Sequence, residues 1–121
     1  MGRVVFVEDD AAIRKLVQAA LRSSPHEVHI ATNGREGLEL VERVRPHVVF
    51  TDVSMPEMDG LQLCDAIRAR PHLAETRIVF ITASVQREQI DRYIARGAVA
   101  YIAKPFSTAE LRAQVARLVP A

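Results

Sequence analysis

Five short apolar runs punctuate the chain: Val4–Val7, Val28–Ala31, Val48–Thr51, Ile78–Thr82 and Ala98–Ala103. Each is rich in β-branched residues and too short for a helix, which predicts five strands. Between them the apolar positions change to helical spacing. Ile13, Leu16, Val17 and Ala20 recur at i, i+3, i+4 and i+7, and so do Gly37, Leu40, Val41 and Val44. Leu63/Cys64/Ile67, Ile90/Ile94 and Leu111/Val115/Leu118 repeat the stripe in three later segments. These stripes are read as core contacts.

Local signals sharpen the helix starts. Asn33 and Ser107 each stand three residues before a glutamate, and Asp59 three before Gln62, which is the capping-box spacing. Pro46 and Pro71 close helical segments, and Gly97 stands where a helix gives way to the last strand. Alternating strands and helices imply parallel β-α units: an α/β fold with a doubly wound sheet and helices on both faces.

The chain has 121 residues, enough for one domain with its own core. Its 16 basic and 15 acidic residues nearly cancel, which gives no reason to expect direct nucleic-acid binding. Fourteen of the 16 are arginine, leaving only Lys15 and Lys104. A single cysteine, Cys64, excludes an internal disulfide and fits a reducing compartment. No apolar run approaches the ~20 residues a membrane span requires, and the first residues form no signal-peptide core. A cytoplasmic protein is expected.

Ligands of open α/β sheets bind beyond the carboxyl ends of the strands. Glu8, Asp9 and Asp10 follow the first run there, Asp52 the third, Thr82 closes the fourth, and Lys104-Pro105 follows the fifth. Asp10 could be no more than an N-cap, Asp52 a turn residue, and Thr82 and Lys104 ordinary strand-end residues. Four strand ends converging on reactive types make the joint coincidence far less plausible. Glu8, Asp9 and Asp52 would crowd three negative charges, which calls for a cation, and hard oxygen ligands suit Mg²⁺. With Mg²⁺ and Lys104 the site is neutral and can accept a phosphoryl group on a carboxylate.

Val4-Val5-Phe6-Val7-Glu8-Asp9-Asp10, Asp52 with Met55-Pro56-Glu57-Met58-Asp59-Gly60, Ile81-Thr82-Ala83 and Lys104-Pro105-Phe106 together resemble the receiver domain of bacterial two-component response regulators. The resemblance runs in order over essentially the whole chain. It implies a flavodoxin-like (βα)5 fold with strand order 2-1-3-4-5. It further implies that Asp52 is phosphorylated by a partner histidine kinase or phosphotransfer protein. Asp9, Asp52 and the backbone carbonyl of Ser54 would bind Mg²⁺, and Glu8 would act through metal-bound water. Lys104 would pair with the phosphoryl oxygens across a cis Lys104–Pro105 bond. Thr82 would swing its hydroxyl to the phosphoryl group while Tyr101 turns inward.

The output would be a protein-binding surface on the fourth helix, fifth strand and fifth helix, with a homodimer as one use of it. Arg87, Arg92, Arg96 and Arg112 are expected to decorate that surface. Glu8 stands where the family more often has Asp. Gly97-Ala98-Val99-Ala100-Tyr101 lacks the acidic pair found before that tyrosine in DNA-binding members. A haloacid-dehalogenase-like phosphatase would need Asp where Ser54 stands, and a flavin binder would need a phosphate loop where Glu8-Asp9-Asp10 lies. The expectation is a single stand-alone receiver domain over residues 1–121 with no output domain. It would be no enzyme beyond catalysing its own phosphorylation and dephosphorylation.

Overall fold

A computed structural model describes residues 2–120. The elements run β1 (Arg3–Val7), α1 (Ala11–Leu21), β2 (Glu27–Ala31), α2 (Gly34–Val44), β3 (Val48–Asp52), α3 (Gly60–Arg68), a 3₁₀ turn (Pro71–Leu73), β4 (Arg77–Thr82), α4 (Arg87–Ala95), β5 (Ala100–Ala103) and α5 (Thr108–Leu118). The strands form one parallel sheet in the order β2-β1-β3-β4-β5. The expected doubly wound α/β fold is therefore the observed one.

Two cores explain why the central strands carry almost no polar residue. Val4, Phe6, Val48, Phe50, Val79 and Ile81 point to one face, where Val17 of α1 and Leu111, Val115 and Leu118 of α5 cover them. Val5, Val7, Val49 and Phe80 point to the other, against Leu40 and Val41 of α2 and Leu63, Cys64 and Ile67 of α3. A strand buried on both faces reads as a continuous apolar run. Phe6 and Phe50 stack across adjacent strands with ring centroids 5.6 Å apart.

The caps behave as the sequence predicts, with one difference. Asp59–Gln62 and Ser107–Glu110 form complete capping boxes. Asn33 caps α2 by accepting from the Glu36 backbone N–H, but the Glu36 carboxylate accepts from the Thr32 N–H rather than closing the box. Gly60, the first residue of α3, has no room for a Cβ, because its backbone lies directly on the Asp52 carbonyl. Gly97, at φ +103°, supplies the left-handed residue that ends α4.

The fourth helix and fifth strand depart from expectation. In the Ile90/Ile94 stripe only Ile90 packs inward; Ile94 is 48% exposed and Tyr93 takes the buried position at 3%. Strand β5 begins at Ala100 rather than Ala98, because the Ala98 N–H still bonds to the Tyr93 carbonyl at 3.2 Å and the Gly97 N–H to that of Ile94 at 2.9 Å. Those two bonds form a Schellman motif that carries the helix cap through Ala98.

Candidate functional site

The parallel register brings the chemistry together. Val7 pairs with Thr51, Asp52 with Ile81, and Thr82 with Ala103. Asp52 and Thr82, the last residues of β3 and β4, thus meet Glu8 and Lys104, one residue beyond β1 and β5. The order reverses between β1 and β3, since β2 lies on one side and β3 to β5 on the other. Such a switch point opens a crevice between diverging loops. Gly60 keeps the start of α3 close to Asp52, its N–H bonding to the Val53 carbonyl at 3.0 Å.

Glu8, Asp9 and Asp52 each offer a carboxylate oxygen, all within 4.8 Å of one another. Glu8 and Asp52 are buried and Asp9 is exposed. Glu8 Oε1 accepts from the Asp10 N–H at 3.2 Å, whereas Glu8 Oε2 is buried with no hydrogen-bond partner. Lys104 Nζ lies 3.5 Å from Oε2, near enough for ionic attraction but not hydrogen bonded to it. The lysine instead donates to Asp52 Oδ2, while Asp52 Oδ1 accepts from the Ser54 N–H at 3.0 Å. Asp10 stands apart from this group: its carboxylate caps α1, accepting from the Ala12 and Ile13 N–H groups at 2.8 and 3.2 Å.

Burial, reinforced by the neighbouring Asp52 charge, pushes the Glu8 carboxyl up to about 7; the Asp10 N–H and the Lys104 charge pull it back only in part. Burial by itself would lower the Lys104 ammonium. Its hydrogen bond to Asp52 and the charge of Glu8 outweigh burial and hold it above the usual lysine range. Three carboxylates therefore face one ammonium, with one buried oxygen unpartnered. That donor set, hard oxygens with an orphaned lone pair, fits a divalent cation such as Mg²⁺.

A cleft of about 390 Å³ beside these groups is lined by Asp52, Val53, Ser54, Thr82, Ala83, Ser84 and Lys104. Thr82 Oγ1 donates to the Ser84 carbonyl at 3.2 Å and accepts from the Ser84 N–H at 3.1 Å. Its third partner is the Tyr93 hydroxyl at 3.3 Å, which the sequence reading missed because it placed Ile94 inward. Tyr101 lies outward, 37% exposed, and the Lys104–Pro105 bond is cis. Cys64 is buried, and burial pushes its thiol up to about 11, as suits a core residue.

Other cationic groups serve the fold. A larger cavity of about 530 Å³ opens at the opposite edge of the sheet, among Arg3, Arg45, His47, Arg77 and Arg117. There Arg3 donates to the Val44 and Arg45 carbonyls and Arg77 to that of Leu118, so these side chains close the ends of α2 and α5. Arg112 does not join the expected surface, since its guanidinium reaches back to the Ala20 carbonyl of α1. Arg96 pairs with Asp65 of α3 at 2.9 Å. Among the described residues no helix is long and apolar enough to cross a membrane.

Comparison with known proteins agrees with this geometry. The profile of the response regulator receiver domain matches residues 4–116. Regulatory protein AtoC of Escherichia coli (strain K12) is 33% identical over 97% of this chain and 25% of its own length. Response regulator MprA of Mycolicibacterium vanbaalenii is 34% identical over 97% of this chain and 50% of its own length. The chain thus spans a quarter to a half of these curated relatives. Chemotaxis protein CheY4 of Vibrio cholerae superposes with a TM-score of 0.90 at 31% identity, covering 98% of both chains. Profile, relatives and fold agree: this chain belongs to the response regulator receiver domain family, the signalling modules of two-component systems.

Proposed function

We propose that this receiver domain is a phospho-aspartate switch, phosphorylated on Asp52 by a partner histidine kinase or phosphotransfer protein in an Mg²⁺-dependent reaction. The observation that carries this reading is the orphaned Glu8 Oε2 beside Asp9, Asp52 and Lys104 at the sheet's switch point. Asp9, Asp52 and the Ser54 backbone carbonyl would hold the ion, with Glu8 acting through water. Bound there, Mg²⁺ would supply positive charge against the oxygens of the phosphoryl group being transferred.

This chain's own residues do the rest. A carboxylate oxygen of Asp52 attacks the phosphorus of the partner's phosphohistidine. The new O–P bond forms as the P–N bond breaks, and the imidazole leaves with the bonding pair and takes up a proton. Lys104, already on Asp52, pairs with the incoming phosphoryl oxygens. Water later cleaves the acyl phosphate to regenerate Asp52 and inorganic phosphate, so no separate metabolite is turned over.

The added charge and acceptor oxygens favour the conformer in which Thr82 turns toward Asp52 and Tyr101 turns inward. The output surface is α4-β5-α5. Its fitness for a protein partner, or for a second copy of the chain, is supported by Val85, Ile94, Val99 and Tyr101, the exposed large apolar side chains among the described residues, which all belong to the segment from the end of β4 through β5. We place this receiver domain in the cytoplasm, acting through protein contacts.

Intact-mass analysis after incubation with acetyl phosphate tests the core of this reading. One hydroxylamine-labile phosphoryl group should appear with Mg²⁺, and none with EDTA or in Asp52→Asn. Normal labelling of Asp52→Asn, or no labelling of the folded wild type by this donor or by a phosphorylated partner, would overturn it.

A further inference from the structure

Resting on the reading of Asp52 as phosphoacceptor and Thr82 as its responder, we propose that Tyr93 is a positioning residue. Its hydroxyl holds the Thr82 hydroxyl away from Asp52 and ties that choice to the placement of α4. A threonine hydroxyl has one proton and two lone pairs. All three are used in the resting arrangement: the proton on the Ser84 carbonyl, one lone pair on the Ser84 N–H, and the other on the Tyr93 hydroxyl. None is left for Asp52.

The counterpart is equally constrained. Tyr93 is 3% exposed, and Thr82 is the sole hydrogen-bond partner of its hydroxyl among the described residues. Its ring packs tilted against Phe80, with centroids 5.1 Å apart. When Thr82 turns to a phosphoryl oxygen, the Tyr93 hydroxyl loses that partner in a buried place, which is costly unless the ring moves. Tyr93 is also the only residue of α4 that is fully buried. Moving its ring therefore moves the helix.

The placement of Tyr101 closes the argument. Tyr101 is the registered neighbour of Phe80 across β4 and β5, so both side chains leave the sheet on the same face. That face is the one Tyr93 covers. Inward rotation of Tyr101 and the resting position of Tyr93 compete for the space beside Phe80 and Thr82. The Tyr93 hydroxyl thus acts as a brake: it stabilises the resting position of Thr82 and keeps α4 seated until a phosphoryl group outcompetes it.

Tyr93→Phe keeps the ring on Phe80 and deletes only the hydroxyl. Beryllofluoride with Mg²⁺, a stable phosphoryl mimic, gives an equilibrium readout through the backbone amide signals of Thr82 and Ser84. The variant should reach half-saturation at about three- to tenfold lower beryllofluoride than wild type, the worth of one net hydrogen bond. In a Thr82→Val background the same change should have no effect. Without any ligand, the Ser84 amide should exchange faster in Tyr93→Phe, since the hydroxyl it donates to is no longer held.

Equal midpoints and equal Ser84 exchange in wild type and Tyr93→Phe would overturn the brake while leaving the phospho-aspartate switch intact. A shift that persists undiminished in Thr82→Val would also overturn it, because the effect would not run through Thr82. Failure of the wild type itself to take up acetyl phosphate or beryllofluoride would instead remove the switch on which the brake rests.

Discussion

Glu8 offers the sharpest physical test, because its carboxyl is buried beside Asp52 with one oxygen unpartnered. Raised from 4.5 to about 7, this group favours the folded state when protonated and opposes it when ionised. Between those pH values the folded protein holds more protons than the unfolded chain. The contribution of Glu8 is therefore fully present below 4.5 and is lost as pH rises through about 7. A displacement of that size corresponds to on the order of 3 kcal/mol. Glu8→Gln keeps the shape and an acceptor for the Asp10 N–H but cannot ionise.

Urea unfolding followed by far-UV circular dichroism in EDTA, from about pH 5 to about pH 8, measures the difference directly. The variant should gain on wild type as pH rises and end about 2–3 kcal/mol ahead at the alkaline side. Saturating Mg²⁺ should stabilise wild type most where Glu8 is ionised and reduce its pH dependence, and should do less for the variant. Parallel stability–pH curves for the two proteins in EDTA would refute the reasoning. So would a variant less stable than wild type at about pH 8, which would mean that the Lys104 attraction outweighs burial.

The other acids of the first loop separate by role. Asp10→Ala should cost about 1 kcal/mol by uncapping α1 while leaving Mg²⁺ affinity within about twofold by isothermal titration calorimetry. Asp9→Asn should reverse that pattern, keeping stability in EDTA and weakening Mg²⁺ at least about tenfold, since it removes one of three carboxylates. Gly60→Ala drives a Cβ into the Asp52 backbone carbonyl, which no side-chain rotation can relieve. It should lower stability by about 1–3 kcal/mol in urea and slow acetyl-phosphate labelling as well, and a silent substitution would show that α3 can recede without disturbing Asp52.

Much of this architecture was legible because the sheet is parallel and in register. Polar residues that end separate apolar runs, Glu8, Asp52 and Thr82, must then meet at one edge whatever the loops do, and Lys104 joins them one residue past β5. The phase of α4 was not legible. From Ile90, a step of three reaches Tyr93 and a step of four reaches Ile94, and both fit a helical stripe. Hydrophobicity alone favours Ile94. Tyr93 can be buried because its ring packs on Phe80 and its hydroxyl finds Thr82, contacts between elements that no local pattern carries. The late start of β5 has a related cause, since the cap of α4 reaches through Ala98.

The charge balance of the site also sets how the proposed switch would stay off. Without a cation the site holds three carboxylates against Lys104, and burial answers the imbalance by favouring a proton on Glu8 rather than by bringing in another basic side chain. In the proposed reaction a bound Mg²⁺ would supply the missing positive charge beside Glu8, Asp9 and Asp52, and a phosphoryl group on Asp52 would add negative charge, so compensating groups would be needed again and closer. Lys104 is already in place. The Thr82 hydroxyl, which lines the same cleft, is committed elsewhere, its proton to the Ser84 carbonyl and a lone pair to the Tyr93 hydroxyl. On the proposed reading the electrostatic demand of phosphorylation would fall on a contact that also seats α4, which is how a charge added at the edge of the sheet would become a movement of the surface.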